Sequence, residues 1–439
     1  DTDRSRGLGD VYKRQTLKEF SQIMESYKVI AYKAYGTSAI RETENTLILQ
    51  DQIEQRTGIR VEILSNSEQR FLDYKSIASK GETFRRIIEE KTAILDIGGG
   101  SIQISLFDKD TLVSTQNLRL GVLRLQELLN HLNAGSTQME QLVDELATAQ
   151  LDDYKKLYLK DREIKNIIIV DDYLSPWAVR KAHERGDGNA MVDSKAFYQL
   201  MEALRTRGTT ELAKRMDIAE EKVPLVYISA VLTKRIAELM GAALIWAPGV
   251  TLCDGIAYEY AEQNKLLRGE HDFTEDIIAC AMNISKRYNG STRRADTLEH
   301  ITTTISDSMK KVHGMGQRER LYLRLAAILH DCGKYISLLN VGEASYDIIM
   351  ATEMIGLSHM EREIVANVVR FNHSDFVYYG QAQERPMGLD KASYLTVAKL
   401  TAILRLANSL DRSHKQKMKG VKAVLQENEL ILKVDTQED

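Results

Sequence analysis

A chain of 439 residues is longer than one ordinary hydrophobic core, so two or more domains are expected. Hydrophobic residues make up 43% and charged residues 28%, the balance of a globular protein, and no run approaches the roughly 18 apolar residues needed to cross a bilayer. A formal net charge of −4 argues against broad nucleic-acid binding, although a local pocket of amides, arginine and metal still holds an anion on an acidic protein.

Residues Asp1–Gln15 carry no apolar periodicity and read as a non-native or disordered segment. From about Lys28 to Gly255, short β-branched runs alternate with amphipathic stretches, which predicts an α/β region. The strand candidates are Val29–Tyr35, Val61–Leu64, Thr92–Ile97, Ile102–Phe107, Ile167–Val170 and Ala243–Ile245. After about Asp254 the pattern turns helical, with Asp276–Tyr288, Thr297–Val312, Arg318–Leu329, Met360–Phe371 and Leu395–Leu410 as examples. The tail alternates again from Val421 to Val434, like a strand pair, and reads as the start of a truncated β-rich domain over 420–439. Three cysteines, Cys253, Cys280 and Cys332, lack disulfide or metal spacing and suit a reducing cytoplasm.

The sharpest local signal runs from Thr92 to Phe107, where two apolar strands flank Asp96-Ile-Gly98-Gly99-Gly100-Ser101. Glycines let backbone N–H groups converge on a phosphate where a Cβ would clash. Asp96 ends the first strand, placed for a divalent metal or a water beside that phosphate. A hairpin turn alone would also account for three glycines.

Three further segments accompany it in order: Ala34-Tyr-Gly-Thr-Ser-Ala-Ile-Arg41-Glu-Thr-Glu-Asn45, Val61-Glu-Ile-Leu-Ser-Asn-Ser-Glu68-Gln69-Arg-Phe-Leu72, and Asn117-Leu-Arg-Leu-Gly121-Val-Leu-Arg124. Together the four resemble the exopolyphosphatase/guanosine-pentaphosphatase (Ppx/GppA) family, whose motifs read A-T-S-A-x-R-E-A-x-N, I-S-G-x-E-E-A-R, D-x-G-G-G-S-T-E and L-G-A-V-R. The resemblance implies an actin-like (ribonuclease H-like) α/β fold, with lobe I over 16–130, lobe II over 131–260 and the ligand between them. It implies that Arg41 grips a phosphate, Asp96 binds Mg²⁺, and the amides of Gly98, Gly99, Gly100 and Ser101 cradle phosphoryl oxygens.

The departures bear on catalysis. Where the family carries the glutamate that activates water, this chain has Gln69, with Glu68 beside it, and Gln103 replaces the glutamate that closes the glycine motif. A neutral amide does not take a proton, and loss of a positioned base costs about 10²–10⁴ in rate. Asp171-Asp172-Tyr173 stands where a G-G-T loop is expected, and Asp1–Gln15 offers no counterpart of the family's opening D-x-G-S-N-S loop.

In the helical part, His330-Asp331-Cys-Gly-Lys334 closes an apolar run, His300 precedes it and Asp411 ends a later helix. That order resembles the HD phosphohydrolase superfamily, and implies an all-α HD-type domain over 270–415 that holds Mn²⁺, Fe²⁺ or Mg²⁺ on His300, His330, Asp331 and Asp411. Lys334 would then neutralise a substrate phosphate, and His373 would serve a second site, although Ala344 in place of a further histidine favours one metal. His271-Asp272, in a polar linker, is read as without a role. The expectation is a cytoplasmic hydrolase of terminal phosphoanhydrides in polyphosphate or guanosine pentaphosphate, and by analogy with the family a homodimer. Its competitors are a disabled phosphate sensor or scaffold and an HD-type phosphohydrolase.

Overall fold

The computed structural model describes residues 15–41, 43–132, 138–184, 190–269, 271–380, 388–413, 415, 418–427 and 429–436. The expectation for Asp1–Gln15 therefore falls outside the described residues, apart from Gln15. The chain divides into two units, residues 1–70 and 71–439.

In the first unit a helix covers residues 15–26, followed by β1 (Ala34–Gly36), a helical turn Ser38–Arg41, the helix Thr46–Thr57 and β2 (Val61–Ile63). Only the end of the expected Val29–Tyr35 strand is paired, and β1 runs parallel to β2. The helix Thr46–Thr57 stops on Gly58, whose φ of 72° only glycine adopts freely and whose N–H caps Glu54 O.

The second unit is built on a mixed six-stranded sheet. Its strands are β3 (Thr92–Ile97), β4 (Ile102–Asp108), β5 (Thr111–Leu118), β6 (Asn166–Asp171), β7 (Met191–Asp193) and β8 (Leu244–Trp246), in the order β5-β4-β3-β6-β8-β7. The hairpins β3/β4 and β4/β5 are antiparallel, whereas β3/β6 and β6/β8 are parallel. Strand alternation divides the apolar side chains between two faces. Ala93, Leu95, Ile97, Ile167 and Ile169 join one core with the helices Val122–His131, Met139–Tyr154 and Val223–Met240. Ile94, Phe107, Ile168 and Val170 join the other with Tyr74 and Ile77 of the helix Asn66–Ala78 and with the helical part of the chain. Burial on both faces is why these strands read as continuous apolar runs. The β3/β6 pair links residues on both sides of 130, so the lobe boundary expected there runs through one sheet.

The helices Phe273–Arg287, Thr292–Ser308, Gln317–Leu329, Val341–Ala351, His359–His373 and Lys391–Leu410 form the helical part. It shares its core with the sheet, and the helix Phe273–Arg287 is tied to β5 by Asn283 Nδ2 donating to Leu112 O at 3.2 Å. The expected tail pair forms as antiparallel β9 (Met418–Gln426) and β10 (Glu429–Thr436). Among the described residues no helix is long and apolar enough to cross a membrane.

Candidate functional site

The expected glycine hairpin forms: β3 and β4 pair with Asp96 opposite Gln103, and Gly98–Ser101 make the turn. The turn is held by its own carbonyls. Gly98 O accepts from Val122 N–H at 3.0 Å, and Gly99 O from Leu123 and Arg124 N–H at 3.0 and 3.1 Å. Gly100 O accepts from Arg124 Nε at 3.2 Å. The backbone donors among them are N–H groups that the start of the helix Val122–His131 leaves without intrahelical partners, so loop and helix satisfy each other. Among the described residues the N–H groups of Gly99 and Gly100 make no backbone hydrogen bond, which suits them to an anion.

None of the turn glycines has positive φ; close approach is what requires them. A Cβ on Gly99 would come 2.7 Å from Leu123 Cδ1, and one on Gly121 would come 2.1 Å from Gly99 O and Gly100 C. The fourth motif is thus the clamp of the third. Gln103 is 5% exposed and its Nε2 donates to Thr115 Oγ1 at 2.6 Å, across β4 and β5. It is anchored within the sheet.

In the first unit, Arg41 ends its helical turn and donates through Nη1 to Leu64 O at 2.5 Å and through Nη2 to Asn66 Oδ1. Gln69 and Glu68 lie in the first turn of the helix Asn66–Ala78, about 100° apart around its axis. Glu68 is already employed, because its Oε2 accepts from Ser65 N–H at 2.9 Å while Ser65 Oγ accepts from Glu68 N–H at 3.2 Å. This is a capping box, a use of the carboxylate that the sequence reading missed although Ser-x-x-Glu is its signature.

Asp171 is likewise a capping group. Its carboxylate accepts from Leu174 and Ser175 N–H at 2.9 and 2.6 Å and from Ser229 Oγ at 2.7 Å. Burial raises its pKa against those hydrogen bonds. A carboxylate so engaged starts the helix Ser175–Glu184 rather than contacting phosphate or metal.

The four metal ligands expected in the helical part do not assemble. His330 is fully buried, and Asp331 and Asp411 are 8% and 2% exposed, but His300 is exposed on the helix Thr292–Ser308. Arg294, six residues earlier and roughly 240° around that helix, points inward instead and is 3% exposed. Its Nε lies 3.6 Å from Asp411 Oδ2, and its Nη2 donates to Asn408 Oδ1 at 2.6 Å. Burial lowers the pKa of Arg294 while the charges of Asp331 and Asp411 oppose that shift. The guanidinium therefore brings the positive charge that these carboxylates require. His330 Nδ1 donates to Ala327 O at 2.8 Å, and burial lowers its pKa, leaving a neutral ring. His373 Nε2 donates to His330 O at 2.5 Å, and Lys334 Nζ lies 3.7 Å from Asp331 Oδ2. Among the described residues no group of three or more His, Cys, Asp or Glu is placed to hold a metal, so the donor set for Mn²⁺ or Fe²⁺ is not present in this arrangement.

His271, read as without a role, is a junction residue. Its Nδ1 bonds Asp110 Oδ1 at 2.9 Å and its Nε2 bonds Asp276 Oδ2 at 2.5 Å, with Tyr74 Oη donating to the same Asp276 oxygen at 3.1 Å. Asp272 caps the helix Phe273–Arg287 by accepting from Thr274 N–H at 2.9 Å.

Comparison with known proteins bears on the loop and the helical part together. The family model described as the Ppx/GppA phosphatase family matches residues 12–263, and that described as Ppx/GppA phosphatase, domain III, matches 278–439. A bifunctional 3-dehydroquinate synthase/phosphatase of Fusobacterium nucleatum is 24% identical over 150 residues, 32% of this chain and 22% of that protein. Exopolyphosphatase 1 of Mycobacterium leprae is 32% identical over 91 residues, 20% of this chain and 25% of that protein. The chain thus spans about a quarter or less of the length of these curated relatives. Among solved structures, an exopolyphosphatase from Cytophaga hutchinsonii matches with a TM-score of 0.46 and 19% identity, covering 57% of this chain and 80% of that one. An Aquifex aeolicus family member matches with a TM-score of 0.47 and 16% identity, covering 58% and 81%.

Proposed function

Because the chain belongs to the Ppx/GppA phosphatase family, we propose that it binds polyphosphate or guanosine pentaphosphate at the Gly98–Ser101 loop and hydrolyses the terminal phosphoanhydride slowly. The observation that carries this reading is the loop itself. Its carbonyls are tied back to the helix Val122–His131, and the N–H groups of Gly99 and Gly100 have no backbone acceptor among the described residues. On this reading the fold is actin-like. Asp96, half-buried at the end of β3, would hold Mg²⁺. One carboxylate is a sufficient protein contribution, since Mg²⁺ keeps several waters and takes its remaining ligands from phosphate. The ion would neutralise charge on the phosphoryl group.

Slow turnover follows from the proton inventory. Gln69 and Gln103 are amides that accept no proton at any relevant pH, and the Glu68 carboxylate is bound to Ser65 N–H. This favours the sensor or scaffold reading as the second one. The HD-type phosphohydrolase reading is weaker: His330 Nε2 and Asp331 Oδ1 are buried without a hydrogen-bond partner among the described residues, but Arg294 rather than His300 keeps company with Asp331 and Asp411.

The test is phosphate release from polyphosphate by purified protein, with EDTA and with Asp96→Asn as controls. Slow release abolished by both is expected, and Gln69→Glu with Gln103→Glu should raise turnover about tenfold or more with little change in binding. Brisk hydrolysis by the unaltered protein, or activity indifferent to Asp96→Asn, would overturn the reading.

A further inference from the structure

Between the helices Ser175–Glu184, Ser194–Thr206 and Thr209–Met216 lies a cavity of about 360 Å³. None of its lining residues belongs to the phosphate loop. Trp177, Arg180, Lys181 and Glu184 follow one another at the spacing of a single helix face, beside the buried face of Ser175, Ala178 and Ala182. Here one aromatic ring and three charges open onto a hollow, with Lys195 and Arg215 contributed by the other two helices and Leu200, Leu212 and Met216 as its buried apolar part.

Charge around the cavity is unbalanced: four cationic side chains line it and one carboxylate. Lys181 is paired with Glu184, and Arg180 approaches Asp217 at 3.9 Å, an aspartate whose side chain is 90% exposed. Lys195 and Arg215 are exposed, and neither forms an ion pair or hydrogen bond among the described residues. An apolar interior, a half-buried indole and a cationic rim select a ligand that is flat and apolar at one end and anionic at the other. The volume lies at the lower end of ordinary small-molecule sites, enough for a nucleoside with its phosphates at the rim.

We propose that this cavity binds a nucleoside phosphate, with the base against Trp177 and the phosphates on Lys195 and Arg215. The site is separate from the phosphate loop and does not depend on turnover there. Stacking on an aromatic ring and charge-assisted hydrogen bonds to phosphate supply complementary parts of the affinity.

The experiment uses the full chain with a fluorescent N-methylanthraniloyl-GTP followed by anisotropy, and with unlabelled GTP, ATP and tripolyphosphate as competitors. Trp177 is one of two tryptophans in the chain, and the other, Trp246, is 2% exposed, so quenching of intrinsic fluorescence gives a second readout. The double variant Lys195→Ala/Arg215→Ala alters exposed side chains and leaves the fold intact; it should weaken binding by about tenfold or more. In EDTA, where the Asp96 site holds no Mg²⁺, Asp96→Asn should leave the titration unchanged even if it abolishes polyphosphate hydrolysis in Mg²⁺. Affinity unchanged in the double variant, loss of binding in Asp96→Asn, competition by tripolyphosphate as strong as by GTP, or no nucleotide binding at all would each overturn the proposal.

Discussion

One buried and one exposed residue of the helical part show how a single side chain decides what a site can do. Arg294 and His300 share one helix, but only Arg294 lies in phase with its buried positions Ala295, Leu298, Ile301, Thr302 and Ile305. Selecting by residue type led to His300; selecting by helical phase would have led to Arg294. With the guanidinium among Asp331, Asp411 and Asn408, the carboxylates have a cation that no chelator removes. Arg294→Met would leave those carboxylates buried without it, and should destabilise the protein by about 3–5 kcal/mol, read by urea denaturation. EDTA should leave the midpoint of the unaltered protein where it is. A midpoint that falls with EDTA in the unaltered protein and equally in Asp96→Asn would mean that a metal is held there after all.

At the scale of elements, the loop and its clamp behave as one piece. Gly121→Ala should push the helix Val122–His131 away from the turn, since the added carbon meets backbone at 2.1 Å. The expected outcome is weaker polyphosphate binding by calorimetry with far-UV circular dichroism retained; full binding in this variant would show the clamp to be dispensable. This hairpin was legible in the sequence because both its strands are buried on two faces and are rich in apolar residues on either side of the glycines. β5 was not legible. Of Thr111–Leu118 only Leu112 and Thr115 are buried, and a strand so polar carries neither an apolar run nor clean alternation. The roles of Glu68 and Asp171 were hidden differently, because a carboxylate near a phosphate motif looks catalytic until its N–H donors are seen. Ser65 and the start of the helix Ser175–Glu184 supply them. The residue types of the loop were readable, whereas the contacts that decide which carboxylates are spoken for depend on local backbone geometry.

At the scale of the whole second unit, the sheet and the helical part are joined through a buried polar group, and that junction titrates. His271 stands between Asp110, in the two-residue turn joining β4 and β5, and Asp276 of the helix Phe273–Arg287, with Tyr74 of the helix Asn66–Ala78 completing the cluster. Nothing local in the sequence announces it: 161 residues separate His271 from Asp110 and 197 separate it from Tyr74. Burial opposes the imidazolium, but the hydrogen bond to Asp276 and the charges of Asp276 and Asp110 outweigh it and raise the pKa of His271. Burial also pushes the Asp276 carboxyl up, while hydrogen bonds from His271, Tyr74 Oη and Leu112 N–H oppose that rise. A histidine with a raised folded-state pKa contributes stability that is fully present below its unfolded value of about 6.5 and is lost as pH rises through the folded value. Thermal midpoints measured from pH 6 to 9 should therefore fall with rising pH in the unaltered protein. The fall should be smaller in His271→Asn, which keeps a side chain able to hydrogen-bond but has no proton to lose. Each unit by which the folded value exceeds the unfolded one corresponds to about 1.4 kcal/mol, and in the alkaline range the two proteins should differ least in stability. Parallel profiles for the two proteins would show that the imidazole stays neutral throughout, and that the junction rests on the shared apolar core alone.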